Sequence, residues 1–136
     1  MSKVVKFGGS SLADAKQFKK VADIIHADPE RRYVVPSAPG KRFKEDTKVT
    51  DMLYRCYDEV AVQGKDFAES FAPIRERYSG IISDLGLSLS LDEEFAKIGE
   101  NFRAAVGSDY AASRGEYLNG IVLANYLGYE FIDSAE

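Results

Sequence analysis

Residues 3–12 read Lys-Val-Val-Lys-Phe-Gly-Gly-Ser-Ser-Leu (KVVKFGGSSL). Val4, Val5 and Phe7 form a short apolar run with the length of a strand, and Gly8-Gly9 then lets the chain turn tightly. Beyond the turn the apolar positions change to helical spacing, at Leu12, Ala15, Phe18, Val21, Ala22 and Ile25. A strand, a glycine turn and a helix follow one another within the first 25 or so residues. Ser11, followed three positions later by Asp14, offers a short side-chain oxygen that can cap the helix start, and Asp28-Pro29 closes the helical region.

Tyr33, Val34 and Val35 read as a second strand. Because a helix separates the two strands, they are expected to run parallel, with the chain folding as a three-layer α/β/α sandwich. Pro36 and Pro39 flank Ser37-Ala38 and stop the strand ladder, and residues 40–48 (GKRFKEDTK) form a polar loop. From Asp51 a helix is expected with Met52, Leu53, Cys56, Tyr57 and Val60 on one face. Phe67, Phe71, Ile74, Tyr78, Ile81 and Leu85 mark a long amphipathic helix, with a boundary expected between Ser70 and Pro73. Ser90 and Glu93 form a capping-box pattern before Leu91, Phe95, Ile98, Phe102 and Val106, and these two helices are expected to pair antiparallel. A polar junction, Ser113-Arg114-Gly115-Glu116, precedes a last helical face at Tyr117, Leu118, Ile121, Val122 and Asn125. Gly128 closes that helix, and Tyr129–Ile132 reads as a third strand. With so few strands for so many helices, the sheet is thin and the fold is expected to be incomplete.

The chain has 136 residues, 45% hydrophobic, enough for one domain with its own core. Eighteen Lys and Arg against 22 Asp and Glu give a net charge of -4, with no basic stripe along any expected helix. Nucleic acid is therefore not the expected partner, and a small ligand is. No apolar run approaches the ~20 residues of a membrane span, and the N-terminus lacks a secretory core, so no membrane partner is expected and a cytoplasmic location is. The single cysteine, Cys56, cannot make an intramolecular disulfide and is expected to serve in packing.

The glycine turn is the first place with chemistry in it. Gly8 and Gly9 lack Cβ atoms, so backbone N–H groups can approach a phosphate, with Ser10 and Ser11 as further donors. Lys6, two residues earlier, could offset charge on the same phosphate. The turn matches neither the G-x-x-x-x-G-K-[ST] nor the G-x-G-x-x-G pattern. Tight strand-to-helix turns also use glycine for backbone reasons alone. Ser37 lies just past a strand end, where open α/β sheets bind ligands. Thr50 reads first as a helix N-cap and second as a substrate hydroxyl. Glu116, at an expected helix start, reads as a first-turn carboxylate or as a receptor for an ammonium group. Lys41, Arg42 and Lys44 form a basic cluster with the character of a solvated loop. His26, at a helix end, is explained by the helix dipole. One histidine and one cysteine leave no metal-ligand cluster.

Lys6-Phe7-Gly8-Gly9-Ser10-Ser11, then Ser37-Ala38 with Gly40, then Thr50-Asp51-Met52-Leu53, then Ser113-Arg114-Gly115-Glu116 resemble the aspartate kinase family in order and spacing. The resemblance covers nearly the whole chain. It implies the amino-acid-substrate side of an amino-acid kinase domain, residues 1–136 standing before the nucleotide-binding half. It further implies transfer of the γ-phosphoryl group of ATP, with Mg2+, to the side-chain carboxylate of L-aspartate, the first step towards lysine, threonine and methionine. In that reading Lys6 is catalytic; Gly8, Gly9 and Ser10 hold phosphate; Ser37, Thr50 and Glu116 bind aspartate. The full-length enzyme is expected to be a homo-oligomer under allosteric control. The family's later Arg-Gly-Gly-Ser-Asp segment is not in this chain, and the loop at residues 40–49 is longer and more charged than in many members. The chain alone is therefore expected to show no turnover. Another amino-acid kinase of this fold, or a non-catalytic ligand-binding or assembly module, are the alternatives.

Overall fold

A computed structural model describes residues 3–131. Strand β1 (Lys3–Phe7) leads through a 3-10 turn (Gly9–Leu12) into α1 (Ala15–His26), and the chain returns as β2 (Arg31–Pro36). The two strands are parallel, with Val5 opposite Val34 and Phe7 opposite Pro36, as the intervening helix requires. Four more helices follow: α2 (Val49–Tyr57), extended by a π-helical turn (Asp58–Val62), α3 (Phe67–Asp84), α4 (Asp92–Arg103) and α5 (Ser108–Leu127).

Alternation along the strands gives the sheet two unlike faces. Phe7 and Val34 pack onto the helical core, while Val4, Tyr33 and Val35 are exposed on the other face. The core is continuous from Phe18 and Ile25 of α1 through Leu53 of α2 and Tyr78 of α3 to Leu118 and Val122 of α5. Burying each such side chain stabilises the fold by about 1.5–3 kcal/mol before entropy is counted. Helices α3 and α4 are antiparallel, as the periodicity implies: Phe71 meets Phe95 with ring centroids 5.1 Å apart, and Phe67 at the start of α3 meets Phe102 near the end of α4 at 5.8 Å.

Several boundaries differ from the sequence reading, each for a physical reason. The cap of α1 is Asp14, whose carboxylate accepts from the Gln17 N–H at 3.0 Å, and not Ser11, which lies in the 3-10 turn. Helix α3 runs through Pro73 without a boundary, starting at Phe67 with Asp66 as its cap. Proline in a helix interior costs ~3 kcal/mol, less than the apolar stripe from Phe67 to Ile81 returns by staying in one helix. Ser90 accepts only from the Asp92 N–H, and α4 has Leu91 at its N-cap without a side-chain bond, so the capping box is not formed. The expected junction at residues 113–116 lies inside α5. Arg114 stacks there on both Tyr110 and Tyr117, at 4.7 and 4.4 Å from the ring centroids, and its polarity is accommodated within the helix. Gly128 does end α5, in the left-handed conformation at φ 73°. No strand forms at Tyr129–Phe131, and Ile132 lies outside the described residues. No helix among the described residues is long and apolar enough to cross a membrane.

Candidate active site

Parallel strands deliver their C-terminal ends to one edge of the sheet, where backbone groups are no longer used by the ladder. Here that edge carries the Gly8–Ser11 turn after β1 and the Ser37–Gly40 segment after β2. A groove of about 500 Å³ opens between them. It is lined by Gly9 and Ser10, by Ser37 to Gly40, and by Lys41, Lys48, Thr50 and Glu116. A separate apolar cleft of about 250 Å³ lies between β2 and α5, lined by residues such as Val35, Leu123 and Leu127, and lacks this density of polar groups.

The walls are held by close backbone contact. The Gly40 N–H donates to the Gly9 carbonyl at 2.8 Å and the Ser37 N–H to the Phe7 carbonyl at 3.0 Å. A Cβ on Gly40 would stand 2.6 Å from the Gly9 carbonyl carbon, and one on Gly9 would stand 3.0 Å from the Ala38 oxygen. These glycines permit two loops to touch, which supplements the reason expected from sequence. Among the described residues nothing accepts from the N–H groups of Gly9 and Ser10, which leaves them available to an anion.

Helix α5 approaches just as closely. A Cβ on Gly115 would lie 2.6 Å from the Cβ of Ala38. The Tyr78 hydroxyl donates to the Gly115 carbonyl at 2.9 Å, and the amide of Asn119, itself fully buried, donates to the Ser37 carbonyl at 2.8 Å. Burial raises the Tyr78 pKa well above its ordinary value, so the hydroxyl remains a donor.

Beneath the groove Arg77 gathers the loops. It donates to the Ala13 carbonyl at 3.0 Å, to the Thr47 carbonyl at 3.2 Å and to the Gly40 carbonyl. Asp46 stands 3.7 Å away and is gripped by Arg42 at 2.6 Å. Burial, and then the charge of Arg42, lower the pKa of Arg77, though a guanidinium remains charged. The Arg42 hydrogen bonds hold the Asp46 carboxyl far below the usual carboxylate range.

The groove thus brings together five of the residues expected from sequence: Gly9, Ser10, Ser37, Thr50 and Glu116. Gly8 and Lys6 adjoin it without lining it; Lys6 is exposed near the end of β1. Thr50 is not an N-cap. The Val49 N–H bonds the Pro39 carbonyl at 3.0 Å, which starts α2 earlier, with Lys48 at the N-cap. Glu116 is not in a first turn either; it projects from the middle of α5, exposed and without an ion partner among the described residues. Sequence reasoning missed Lys48, Arg77, Tyr78 and Asn119 as site components. Arg77 carried a signal, since it lies three residues after Ile74 and four before Ile81, at the edge of an apolar stripe. Among the described residues no group of three acidic, histidine or cysteine side chains could hold a metal ion.

Residues 1–135 match the family model described as the amino acid kinase family. The chain is 40% identical to aspartokinase 3 of Bacillus subtilis, over 94% of this chain and 29% of that protein. It superposes on a crystal structure of Clostridium acetobutylicum aspartate kinase with a TM-score of 0.92 at 52% identity, covering 98% of this chain and 30% of the other. Escherichia coli aspartokinase III in complex with aspartate and ADP matches with a TM-score of 0.71 at 25% identity, over 94% of this chain and 29% of that one. The chain therefore spans less than a third of the length of each of these relatives.

Proposed function

The chain belongs to the amino acid kinase family, and on that premise we propose that it forms the amino-acid-binding part of an aspartate kinase. The observation that carries this reading is the convergence of Gly9, Ser10, Ser37, Thr50 and Glu116, from four separate stretches of sequence, on one groove at the strand ends. The relatives named as aspartate kinases, one of them solved with aspartate and ADP, support it.

In this reading Glu116 receives the α-ammonium of L-aspartate, and Ser37 and Thr50 orient the molecule by hydrogen bonds. The side-chain carboxylate, already ionised at neutral pH, attacks the γ-phosphorus of ATP in line. A phosphorus–oxygen bond to the carboxylate forms as the bond to the bridging oxygen of ADP breaks, and no proton has to move. Catalysis then rests on positioning and charge. The free N–H groups of Gly9 and Ser10 face the phosphoryl oxygens, and Lys6 supplies positive charge beside the turn. Mg2+ would arrive with the nucleotide, neutralising phosphate charge; no step here depends on a protein ligand for it. The full-length enzyme, as a homo-oligomer, would place the remaining nucleotide contacts outside this chain.

A chimera tests the proposal: this chain replaces the matching part of Bacillus subtilis aspartokinase 3, and acyl phosphate is trapped as hydroxamate. ATP-dependent product from L-aspartate, lost in a Lys6→Ala variant that still folds, is expected. A folded chimera that is inert, or that prefers another amino acid, would contradict it.

A further inference from the structure

Asn119 and Gly120 stand side by side in α5, and a different neighbour fixes each of them. Asn119 is fully buried, and its Nδ2 donates to the Ser37 carbonyl at 2.8 Å. No donor among the described residues reaches its Oδ1. A Cβ on Gly120 would stand 2.8 Å from the ring of Phe131. The segment after β2 thus calls for an amide at position 119, and the aromatic ring calls for glycine at position 120.

Asparagine followed by glycine is also the pair in which a side-chain amide reacts most readily with its own backbone. The Gly120 nitrogen attacks Cγ of Asn119, the bond from Cγ to Nδ2 breaks, and Nδ2 leaves as ammonia with the proton of the Gly120 N–H. Water then opens the cyclic imide at either carbonyl, leaving aspartate or isoaspartate. Glycine favours ring closure because no Cβ shields its nitrogen and its backbone turns freely. The folded chain blocks each step. Helical dihedrals hold the Gly120 nitrogen away from Cγ, and its N–H is taken up in the helical hydrogen-bond ladder. Nδ2 is bound to Ser37, and burial keeps out the water that opens the imide.

We propose that Asn119-Gly120 is a deamidation site that the native fold closes and unfolding opens, so that an unfolded chain is steadily converted into one that cannot return. Either product is barred from refolding. A carboxylate has no hydrogen to offer the Ser37 carbonyl, and a charge in so buried a place is strongly disfavoured unless it is paired. Isoaspartate also carries the main chain through an extra carbon, which shifts the register of α5 beneath the buried Val122 and Leu123. Unfolding becomes irreversible through chemistry and not only through aggregation. The inference stands independently of what the groove binds.

The test incubates the full chain at mildly alkaline pH, in buffer and in guanidinium chloride, with peptide mapping of position 119 over time. Aspartate and isoaspartate are expected there in denaturant, and at least about a hundredfold more slowly in buffer, because only the opened fraction reacts. Asn101 and Asn125, followed by Phe102 and Tyr126, should outlast Asn119 in denaturant. After removal of the denaturant, the refolded species separated by gel filtration should be enriched in intact Asn119 relative to the aggregate. Asn119→Asp, which carries one product from the start, should have a lower denaturant midpoint than the wild type or fail to fold. Equal rates in buffer and denaturant would overturn the proposal, as would an intact Asn119 after long denaturation. Equal amounts of modified chain in the refolded and aggregated fractions, or a wild-type midpoint for Asn119→Asp, would overturn it as well.

Discussion

Glu116 owes its place on the groove to the residue before it. Gly115 lets α5 settle against Ala38, and any side chain there meets the Ala38 Cβ at 2.6 Å. Gly115→Ala should therefore cost about 1–3 kcal/mol through overpacking, read as a lower urea midpoint, and should displace the groove rim at Glu116. A midpoint equal to the wild type would mean that the helix and the loop are not in contact as described. Glu116→Gln is the complementary change: it removes a charge from an exposed side chain, should leave the unfolding free energy measured in urea within about 0.5 kcal/mol of the wild type, and should still weaken aspartate binding. Cys56 gives a third check at this scale. It is 1% exposed, and burial, assisted by the charge of Glu59, pushes its thiol up to about 12. A thiol so placed is almost wholly protonated at neutral pH, and the thiolate is the nucleophile. Iodoacetamide should leave Cys56 untouched in the native protein and modify it in urea.

Helix α3 carries the support for the loop at residues 40–48. Arg77→Met would leave the Ala13, Gly40 and Thr47 carbonyls without their donor, and should destabilise the protein by about 3 kcal/mol, with faster amide exchange concentrated in residues 40–48. The Arg42–Asp46 pair predicts a dependence on pH. The folded state holds the Asp46 pKa below its unfolded value near 3.9. Its stabilisation is therefore complete above about pH 4 and is lost as the pH falls through the folded value. The difference in melting temperature between wild type and Asp46→Asn should be constant near neutrality and shrink in acid; a difference that grew in acid would reverse the sign. Much of the element pattern was legible in the sequence, because strand alternation and helical periodicity are local. Boundaries failed where distant contacts decided them: Pro73 is carried through α3 by the core beneath it, and the polar run at 113–116 is accommodated by aromatic stacking within α5. Of the site, Ser37, Thr50 and Glu116 were legible as short motifs, although Thr50 is the second residue of α2 rather than its N-cap and Glu116 lies in the middle of α5. Lys48, Arg77 and Asn119 were not, since their parts depend on which loop faces which helix.

At the scale of the molecule, two parallel strands end beside each other, two glycines let their loops touch, and α2 and α5 close the far side of the resulting groove. The exposed side chains of Val4, Tyr33 and Val35 take no part in the groove. The function proposed for this chain depends on L-aspartate binding in that groove. Isotopically labelled protein titrated with L-aspartate, and followed through its backbone amide shifts, reports the binding place residue by residue. Saturable shifts confined to Gly9, Ser10, Ser37 to Lys41, Lys48 to Thr50 and the neighbourhood of Glu116 are the predicted result. Saturable shifts centred elsewhere, for example on the cleft between β2 and α5, or no shifts at high aspartate concentration, would contradict it.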